Sequence, residues 1–159
     1  MNDDYSKFRD ELLSYQAGRL KALVEETVQC CQARTDYLSA KFELPQAELR
    51  CLMLFQEERY LTLKEIAGKL DVAKSRVTKI IEGLLGKKLI MSVDDPRDAR
   101  IKLITPTPAG KIKCKEASRF TMDLYEKILQ ELCPEERKSV INALEILRTS
   151  MEAIKKQLI

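Results

Sequence analysis

Residues 61–90 read LTLKEIAGKLDVAKSRVTKIIEGLLGKKLI, and this stretch decides the fold. It opens with a helix-start signal, because Thr62 followed by Glu65 forms a capping box and Leu61 faces Ile66 as a hydrophobic staple. The signal predicts a short helix. We expect that helix to end near Asp71, because aspartate tolerates the left-handed conformation of a sharp turn better than most residues do.

A second helix is predicted directly after that turn. Its apolar residues recur at spacings of three and four, which indicates a helix buried along one side. These inward residues are Val77, Ile80, Ile81, Leu84 and Leu85. The opposite side is polar and carries Lys74, Ser75, Arg76, Thr78, Lys79 and Glu82. Two short helices about a tight turn are typical of a helix-turn-helix.

A β-hairpin is predicted next. The β-rich residues 89–93 and 101–105 flank a charged, proline-containing loop, DDPRDAR, at residues 94–100. A helix-turn-helix followed by a hairpin forms a winged helix-turn-helix. We therefore expect a mainly α protein with a small β-hairpin wing and with long helices at both ends.

Helical periodicity also marks the flanks of this module. It runs from about residue 4 to residue 41 and predicts a long helix there. Within this range, Gly18 is a position at which a helix can bend. Pro45 predicts a second helix that continues to about residue 56. Residues 107–108, Thr-Pro, begin a further helix, and residues 133–136, Cys-Pro-Glu-Glu, separate it from the last one.

The flanking helices carry more apolar surface than so small a central module needs, which favours homodimerisation. We therefore divide the chain into an N-terminal dimerisation region (1–44), a winged helix-turn-helix domain (45–107) and C-terminal dimerisation helices (108–159).

The composition excludes several classes of protein. The 159 residues include no histidine, and the five cysteines lack CxxC spacing, so we expect no metal site and no cofactor. We expect no catalytic residue either, because glycine-rich phosphate loops, nucleophile motifs and paired carboxylates are missing. With 45% hydrophobic and 33% charged residues and no long apolar run, we expect a cytoplasmic protein that does not enter a membrane.

Charge is concentrated where the reading module is. Between residues 74 and 102 the sequence has eight lysines and arginines against four acidic residues, whereas the net charge of the whole chain is only +3. Such an asymmetry is expected when one stripe of a protein faces phosphate. We therefore expect double-stranded DNA as the partner. A two-fold dimer presents its two copies of the second module helix about 34 Å apart, which predicts a pseudo-palindromic DNA site.

The second helix of the module is predicted to enter the major groove, which admits a helix. On its polar face, Arg76 is suited to pair with guanine O6 and N7. Lys74 and Lys79 are suited to neutralise phosphates, and Ser75 and Thr78 to meet base edges or phosphate.

The hairpin tip is predicted to make a contact of another kind. Arg97 and Arg100 are candidates for the minor groove, whose negative potential favours a guanidinium. Asp98 and Asp95 stand beside them, and we expect these carboxylates to hold the arginines in position as ion-pair partners.

These residues resemble the MarR family of bacterial regulators. The likeness rests on LTLKEIAGKLDVAKSRVTKIIEGLLGKKLI, on the wing sequence of residues 95–100, DPRDAR, and on residues 107–110, TPAG, which open the next helix. It extends from about residue 25 to the C-terminus. At three positions the chain differs from the family pattern: Ala73 replaces a capping serine, Asp71 a turn glycine and Lys88 a glycine before the strand.

The resemblance implies a homodimer whose first and last helices interlock, with Arg100 in the minor groove. It also implies a ligand cleft between the dimerisation helices and the reading domain, and a repressor that a small aromatic or lipophilic acid releases from DNA. Candidates for the cleft are Tyr37, Phe42, Met53, Tyr60 and Phe120. The alternative interpretation of these side chains is core packing, because aromatic and methionine residues at helical spacing commonly pack inside.

Two other functions stay open at this point. The five cysteines, Cys30, Cys31, Cys51, Cys114 and Cys133, suggest redox sensing, although cysteine also packs as a small apolar residue. Alternatively, the winged helix is a protein-interaction module whose basic face meets an acidic protein instead of DNA.

Overall fold

The computed structural model describes residues 2–98 and 100–158. In chain order its elements are α1 (Asn2–Phe42), α2 (Gln46–Met53), a 3-10 turn (Leu54–Gln56), β1 (Leu61–Thr62), α3 (Leu63–Leu70), α4 (Lys74–Gly86), β2 (Ile90–Asp94), β3 (Lys102–Pro106), α5 (Pro108–Gln130) and α6 (Pro134–Gln157). This confirms the predicted fold class, mainly helical with a small sheet. Over the described range, no helix has an apolar stretch long enough to cross a membrane.

The chain forms two compact units, and the boundary between them falls inside α5, between Cys114 and Lys115. The first unit contains the helix-turn-helix and the sheet, and the second contains the rest of α5 and all of α6. The division of the chain at residues 44 and 107 by function stays a prediction.

The sheet has three antiparallel strands in the order β1-β3-β2. The β2–β3 hairpin was predicted, but β1 was not. In β1, Leu61 lies opposite Ile104 and Thr62 lies opposite Leu103. A strand of two residues is too short to show an alternating pattern. The sequence pattern therefore predicts that Thr62 caps a helix, but it does not indicate that Thr62 also pairs with Leu103 in a sheet.

The core of the first unit joins α2, α3, α4 and the sheet. Its largest fully buried side chains are Leu44, Leu52, Ile66, Leu84, Val77 and Cys51. The predicted burial of Leu85 is wrong, because this side chain is 38% exposed. It follows Val77 by eight residues, which rotates it about 80° around the helix axis, to the edge of the apolar stripe.

Among the described residues, the ends of α1, α3 and α4 share one feature, a left-handed residue that is not glycine. These residues are Glu43, Asp71 and Lys88, with φ angles of 53°, 54° and 56°. At the end of α3, the N–H of Asp71 donates to the Gly68 carbonyl (3.3 Å) and that of Val72 to the Ala67 carbonyl (3.2 Å). This is the Schellman arrangement, so the predicted turn at Asp71 is confirmed.

The start of α5 is joined to the start of β2 by Thr107. Its hydroxyl donates to the Lys88 carbonyl (2.8 Å) and accepts from the N–H of Gly110 (3.1 Å). A Cβ on Gly110 would lie 1.8 Å from the Leu89 carbonyl oxygen. The Thr-Pro-Ala-Gly sequence is therefore a close backbone crossing that requires glycine at its fourth position.

The corner between α5 and α6 is closed by Arg137. Its Nε donates to the carbonyls of Leu129 (2.6 Å) and Leu132 (2.9 Å), which satisfies acceptors at the end of α5. At the start of α6, the N–H of Cys133 donates to the Glu136 carboxylate (2.8 Å). The predicted break at residues 133–136 is thus a helix end followed directly by a capped helix start.

Replacing Lys88 with glycine is expected to stabilise the protein. The N–H groups of Lys88 and Leu89 donate to Leu85 (2.9 Å) and Leu84 (3.0 Å), so the left-handed backbone is retained in any variant that folds. The free energy of unfolding of Lys88→Gly should be about 1 kcal/mol higher than that of Lys88→Ala, because alanine keeps a Cβ that is strained in the left-handed conformation and glycine has none. Chemical denaturation measures both variants, and equal stabilities would contradict the assignment of strain.

Candidate nucleic-acid interface

The capping box at residue 62 determines where α3 begins. The N–H of Glu65 donates to Thr62 Oγ1 (3.2 Å), and Glu65 Oε2 accepts from the N–H (2.7 Å) and hydroxyl (2.8 Å) of Thr62. These hydrogen bonds stabilise the carboxylate and hold the pKa of Glu65 below its ordinary value. The predicted capping box is confirmed.

Helix α4 begins differently, with an N-cap that has no side-chain oxygen. Ala73 takes the extended N-cap conformation, and its carbonyl accepts from the N–H groups of Arg76 (2.9 Å) and Val77 (3.2 Å). The alanine side chain has no acceptor atom, so the N–H groups of Lys74 and Ser75 receive no side-chain cap and are left to other acceptors. A DNA phosphate is a suitable acceptor at a helix N-terminus.

The two faces of α4 divide as the sequence predicted. Val77, Ile80, Ile81 and Leu84 are buried, whereas the side chains at positions 74, 75, 76, 78, 79 and 82 are exposed. The Thr78 hydroxyl donates to the Lys74 carbonyl (3.2 Å). Its proton is therefore used within the helix, and what it offers a base edge is an acceptor oxygen and a methyl group.

At the wing tip, aspartates organise the backbone. Asp95 Oδ1 accepts from the N–H of Arg97 (2.8 Å), and Asp98 Oδ1 accepts from the N–H of Arg100 (3.0 Å). The N–H of Ile101 donates to the Asp98 carbonyl (2.9 Å), which closes the turn. Ala99 lies outside the described residues. These Asx-type turns explain why aspartates occupy a loop that otherwise points cations at solvent.

The expectation that Asp98 supports Arg100 through an ion pair has a geometric basis, although a weak one. Arg100 Nε lies 3.8 Å from Asp98 Oδ1, and the arginine side chain is 95% exposed. A pair this open to water contributes little, so the backbone hydrogen bond is the stronger role of Asp98. Asp95 is seen to bond the backbone of Arg97, and its proposed pairing with a guanidinium stays a prediction.

The candidate cleft residues do not share one environment. Tyr37 (57%) and Tyr60 (43%) are exposed, whereas Phe42 (8%) is buried. Met53 is half-buried in the first unit, and Phe120 is half-buried in the second. The guanidinium of Arg59 stands 5.4 Å from the Tyr60 ring centroid. Core packing therefore accounts for Phe42, and a cleft lined by the remaining side chains stays a prediction.

The cysteines divide into two groups. Cys51 and Cys114 are buried and pack as small apolar residues, whereas Cys30, Cys31 and Cys133 are exposed. Burial, followed by the nearby charge of Glu48, raises the pKa of Cys51 to about 12, and burial also raises the pKa of Cys114. Such thiols are poor nucleophiles at neutral pH. Among the described residues, no group of cysteines and carboxylates is clustered as metal ligands.

Sequence reasoning missed an ion pair behind the reading helix, between a buried carboxylate and an exposed lysine. Glu48 on α2 is 8% exposed, and its carboxylate lies 2.8 Å from Lys87 Nζ at the end of α4. A signal was present, because Glu48 precedes buried Leu52 by four residues and so shares its helix face. The partner is 39 positions away and could not be read from spacing.

Known proteins resemble this arrangement in sequence. Residues 44–102 match the model of the MarR family. The chain is 27% identical over 107 residues to the transcriptional regulator AdcR of Streptococcus pneumoniae, and this alignment covers 65% of the chain and 73% of AdcR.

Solved structures resemble it in fold. A mutant of S. aureus MepR gives a TM-score of 0.75 at 20% identity, over 82% of this chain and 97% of MepR. Another MepR mutant, bound to an oligodeoxyribonucleotide, gives 0.60 at 20% identity, over 82% and 96%. Bordetella bronchiseptica BpsR, whose DNA binding is regulated by 6-hydroxynicotinic acid, gives 0.58 at 22% identity, over 79% and 98%.

Removing the α3 cap should cost stability in a pH-dependent way. Thr62→Ala is expected to lower the free energy of unfolding by about 1 kcal/mol at neutral pH. Folding lowers the pKa of the Glu65 carboxyl. The contribution of this carboxylate to the free energy of unfolding is therefore present above the ordinary glutamate pKa, and it is lost as the pH falls through the pKa that Glu65 has in the folded protein.

Denaturation of Glu65→Ala and the wild type between pH 7 and 3 tests this expectation. The stability difference should shrink toward acid pH. Glu82→Ala, which removes an exposed carboxylate from α4, serves as the control. A Glu65→Ala difference that stays constant over this range would contradict the capping account.

Proposed function

We propose that this chain is a homodimeric transcription regulator of the MarR family, which places α4 in the major groove of duplex DNA and its wing at the minor groove. The match of residues 44–102 to the model of that family supports the proposal. The observation that carries the proposal is the division of α4 into a buried apolar face and an exposed basic one. The protein reads DNA, and no chemical step is required of it.

We assign two kinds of contact to α4. Arg76 is the candidate for direct reading, because a bidentate guanidinium recognises guanine. Lys74 and Lys79 carry phosphate contacts, which supply affinity and orientation but no sequence information. Ser75 and Thr78 complete the reading face, and Thr78 is best matched to a base that presents an amino group or a methyl group.

Arg97 and Arg100 form the wing contact in this proposal. The Asx-type turns hold the backbone of the tip, so each guanidinium projects from a defined loop. Minor-groove width, and not a base code, then sets how strongly the wing binds. Changes in α4 should alter sequence preference, whereas changes in the wing should mainly alter affinity.

The proposed dimer accounts for apolar surface that is exposed to solvent in a single chain. All of α6 lies in the described part of the protein, and none of its residues is buried. Exposed apolar side chains at positions 140, 144, 151 and 154 fall on one face of this helix. Further exposed apolar side chains lie on α1: Leu12, Leu13, Tyr15, Leu20, Leu23 and Val28.

Ligand control is the third part of the proposal. BpsR is regulated by 6-hydroxynicotinic acid, which is a small aromatic acid. We propose an effector of this class, small and aromatic or lipophilic, that favours release from an operator. Such an effector must bind the DNA-incompetent dimer more tightly than the competent one, because equal affinities shift no equilibrium.

The two other functions are less well supported. A redox sensor needs reactive thiols, and Cys51 and Cys114 are buried with raised pKa values. The exposed cysteines, Cys30, Cys31 and Cys133, are the remaining candidates for such a role. A protein-interaction module would leave the similarity to DNA-binding regulators unexplained. A regulator of this kind acts at the chromosome, so the cytoplasm remains part of the proposal.

Affinity measured against salt tests the DNA proposal. With duplex from upstream of the protein's own gene, the logarithm of the binding constant should fall linearly with the logarithm of salt concentration. Arg100→Ala should reduce the slope by about one if its guanidinium contacts the backbone. A salt-independent affinity, or no preference over a scrambled duplex, would contradict a sequence-specific regulator.

Sedimentation tests the dimer. Leu144→Glu places a charge on the apolar face of α6 and should convert the dimer to monomer and weaken DNA binding. Asn142→Glu adds the same charge about 200° around the helix from position 144, and should leave the dimer intact. A wild-type monomer at micromolar concentration, or equal behaviour of the two variants, would contradict this interface.

A further inference from the structure

Behind the reading helix, the carboxylate of Glu48 makes two contacts with α4. Its Oε2 lies 2.8 Å from Lys87 Nζ, and its Oε1 accepts a hydrogen bond from the same nitrogen (3.1 Å). The Glu48 side chain is 11% exposed and that of Lys87 41%, so the pair is partly shielded from water.

The second contact is with Gly83, one turn before Lys87. A Cβ at position 83 would lie 2.3 Å from Glu48 Oε1 and 3.0 Å from its Cδ. The carboxylate therefore lies directly against the α4 backbone, in space that any larger residue would occupy. Glycine in mid-helix lowers helix stability by about 1 kcal/mol relative to alanine. The close approach of the carboxylate therefore requires a residue that is unfavourable for the helix.

Stability alone is a poor explanation for this arrangement. A carboxylate loses its hydration when it is buried, and an apolar side chain of similar volume commonly packs as well or better. A hydrogen-bonded ion pair differs from apolar packing in its directionality. It favours one orientation of α4 on α2, in addition to the rotation that the buried apolar residues of α4 set.

We propose that Glu48 is a positioning residue for DNA reading, and that its contacts with Gly83 and Lys87 set the angle at which α4 presents its base-reading side chains. This inference rests on the proposed function. Ser75 precedes Gly83 by eight residues, or about 12 Å of helix, so a tilt of about 10° at Gly83 moves Ser75 by about 2 Å. Base hydrogen bonds do not survive such a shift, whereas long lysine side chains still reach phosphates.

The position of α2 also relates the Glu48 contact to α1. Helix α2 packs against both α1 and α4. Glu48 therefore lies on the helix that connects the reading helix with α1, which the dimer proposal places at the subunit interface.

The test compares specific with nonspecific binding. The probes are a duplex that the wild type selects from a randomised pool and a scrambled duplex of equal length. Glu48→Gln should lower affinity for the selected duplex about tenfold and leave affinity for the scrambled one unchanged. The salt slope should not change, because no phosphate contact is lost, and thermal unfolding shows whether the variant is folded.

Companion variants separate positioning from other roles. Lys87→Arg should keep the wild-type preference, and Lys87→Ala should lose it as Glu48→Gln does. Gly83→Ala pushes the carboxylate aside with the charge retained and should also lose preference, which keeps the proposal testable if Glu48→Gln fails to fold. Glu58→Gln, which breaks the exposed pair with Lys69 (3.0 Å), is the matched control and should bind as the wild type does.

Three outcomes would overturn the inference, and they are distinguishable. If the wild type binds both duplexes equally, the proposed function fails and the inference fails with it. If the wild type prefers the selected duplex and both Glu48→Gln and Gly83→Ala keep that preference in full, the inference alone fails. A salt slope lowered by Lys87→Ala, with Glu48→Gln unchanged, would identify Lys87 as a phosphate contact instead.

Discussion

The burial of one side of α4 is the constraint on which the rest of the reading domain depends. Val77, Ile80, Ile81 and Leu84 must leave water together, which fixes the rotation of the helix about its axis. Once that rotation is set, Lys74, Ser75, Arg76, Thr78 and Lys79 face solvent as a group. The same packing that stabilises the domain thus forms the surface proposed for DNA.

Specific local interactions also define where the helices begin and end. The capping box at Thr62 starts α3, and left-handed residues at Glu43, Asp71 and Lys88 end α1, α3 and α4. None of these three residues is glycine, so each turn holds backbone strain that surrounding packing must offset. This explains how the chain departs from the family pattern at Asp71 and Lys88 without changing its fold.

Local features were predictable from sequence, and long-range ones were not. The capping box, the turn at Asp71 and the exposed face of α4 follow from spacing within one helix. Strand β1 and the Glu48–Lys87 pair depend on partners more than 35 residues away, which spacing cannot reveal. Periodicity also cannot separate core from interface. The apolar residues of α6 fit the helical pattern, and yet none of them is buried in the single chain.

Selection from a randomised duplex pool, done in parallel with the wild type and Arg76→Ala, tests the central claim most directly. The wild type should enrich a two-fold symmetric motif, with half-sites about one helical turn apart. Arg76→Ala should lose preference at one base pair in each half-site and keep the rest of the motif. No enriched motif, or an identical motif for both proteins, would contradict the assignment of α4 as the DNA reader.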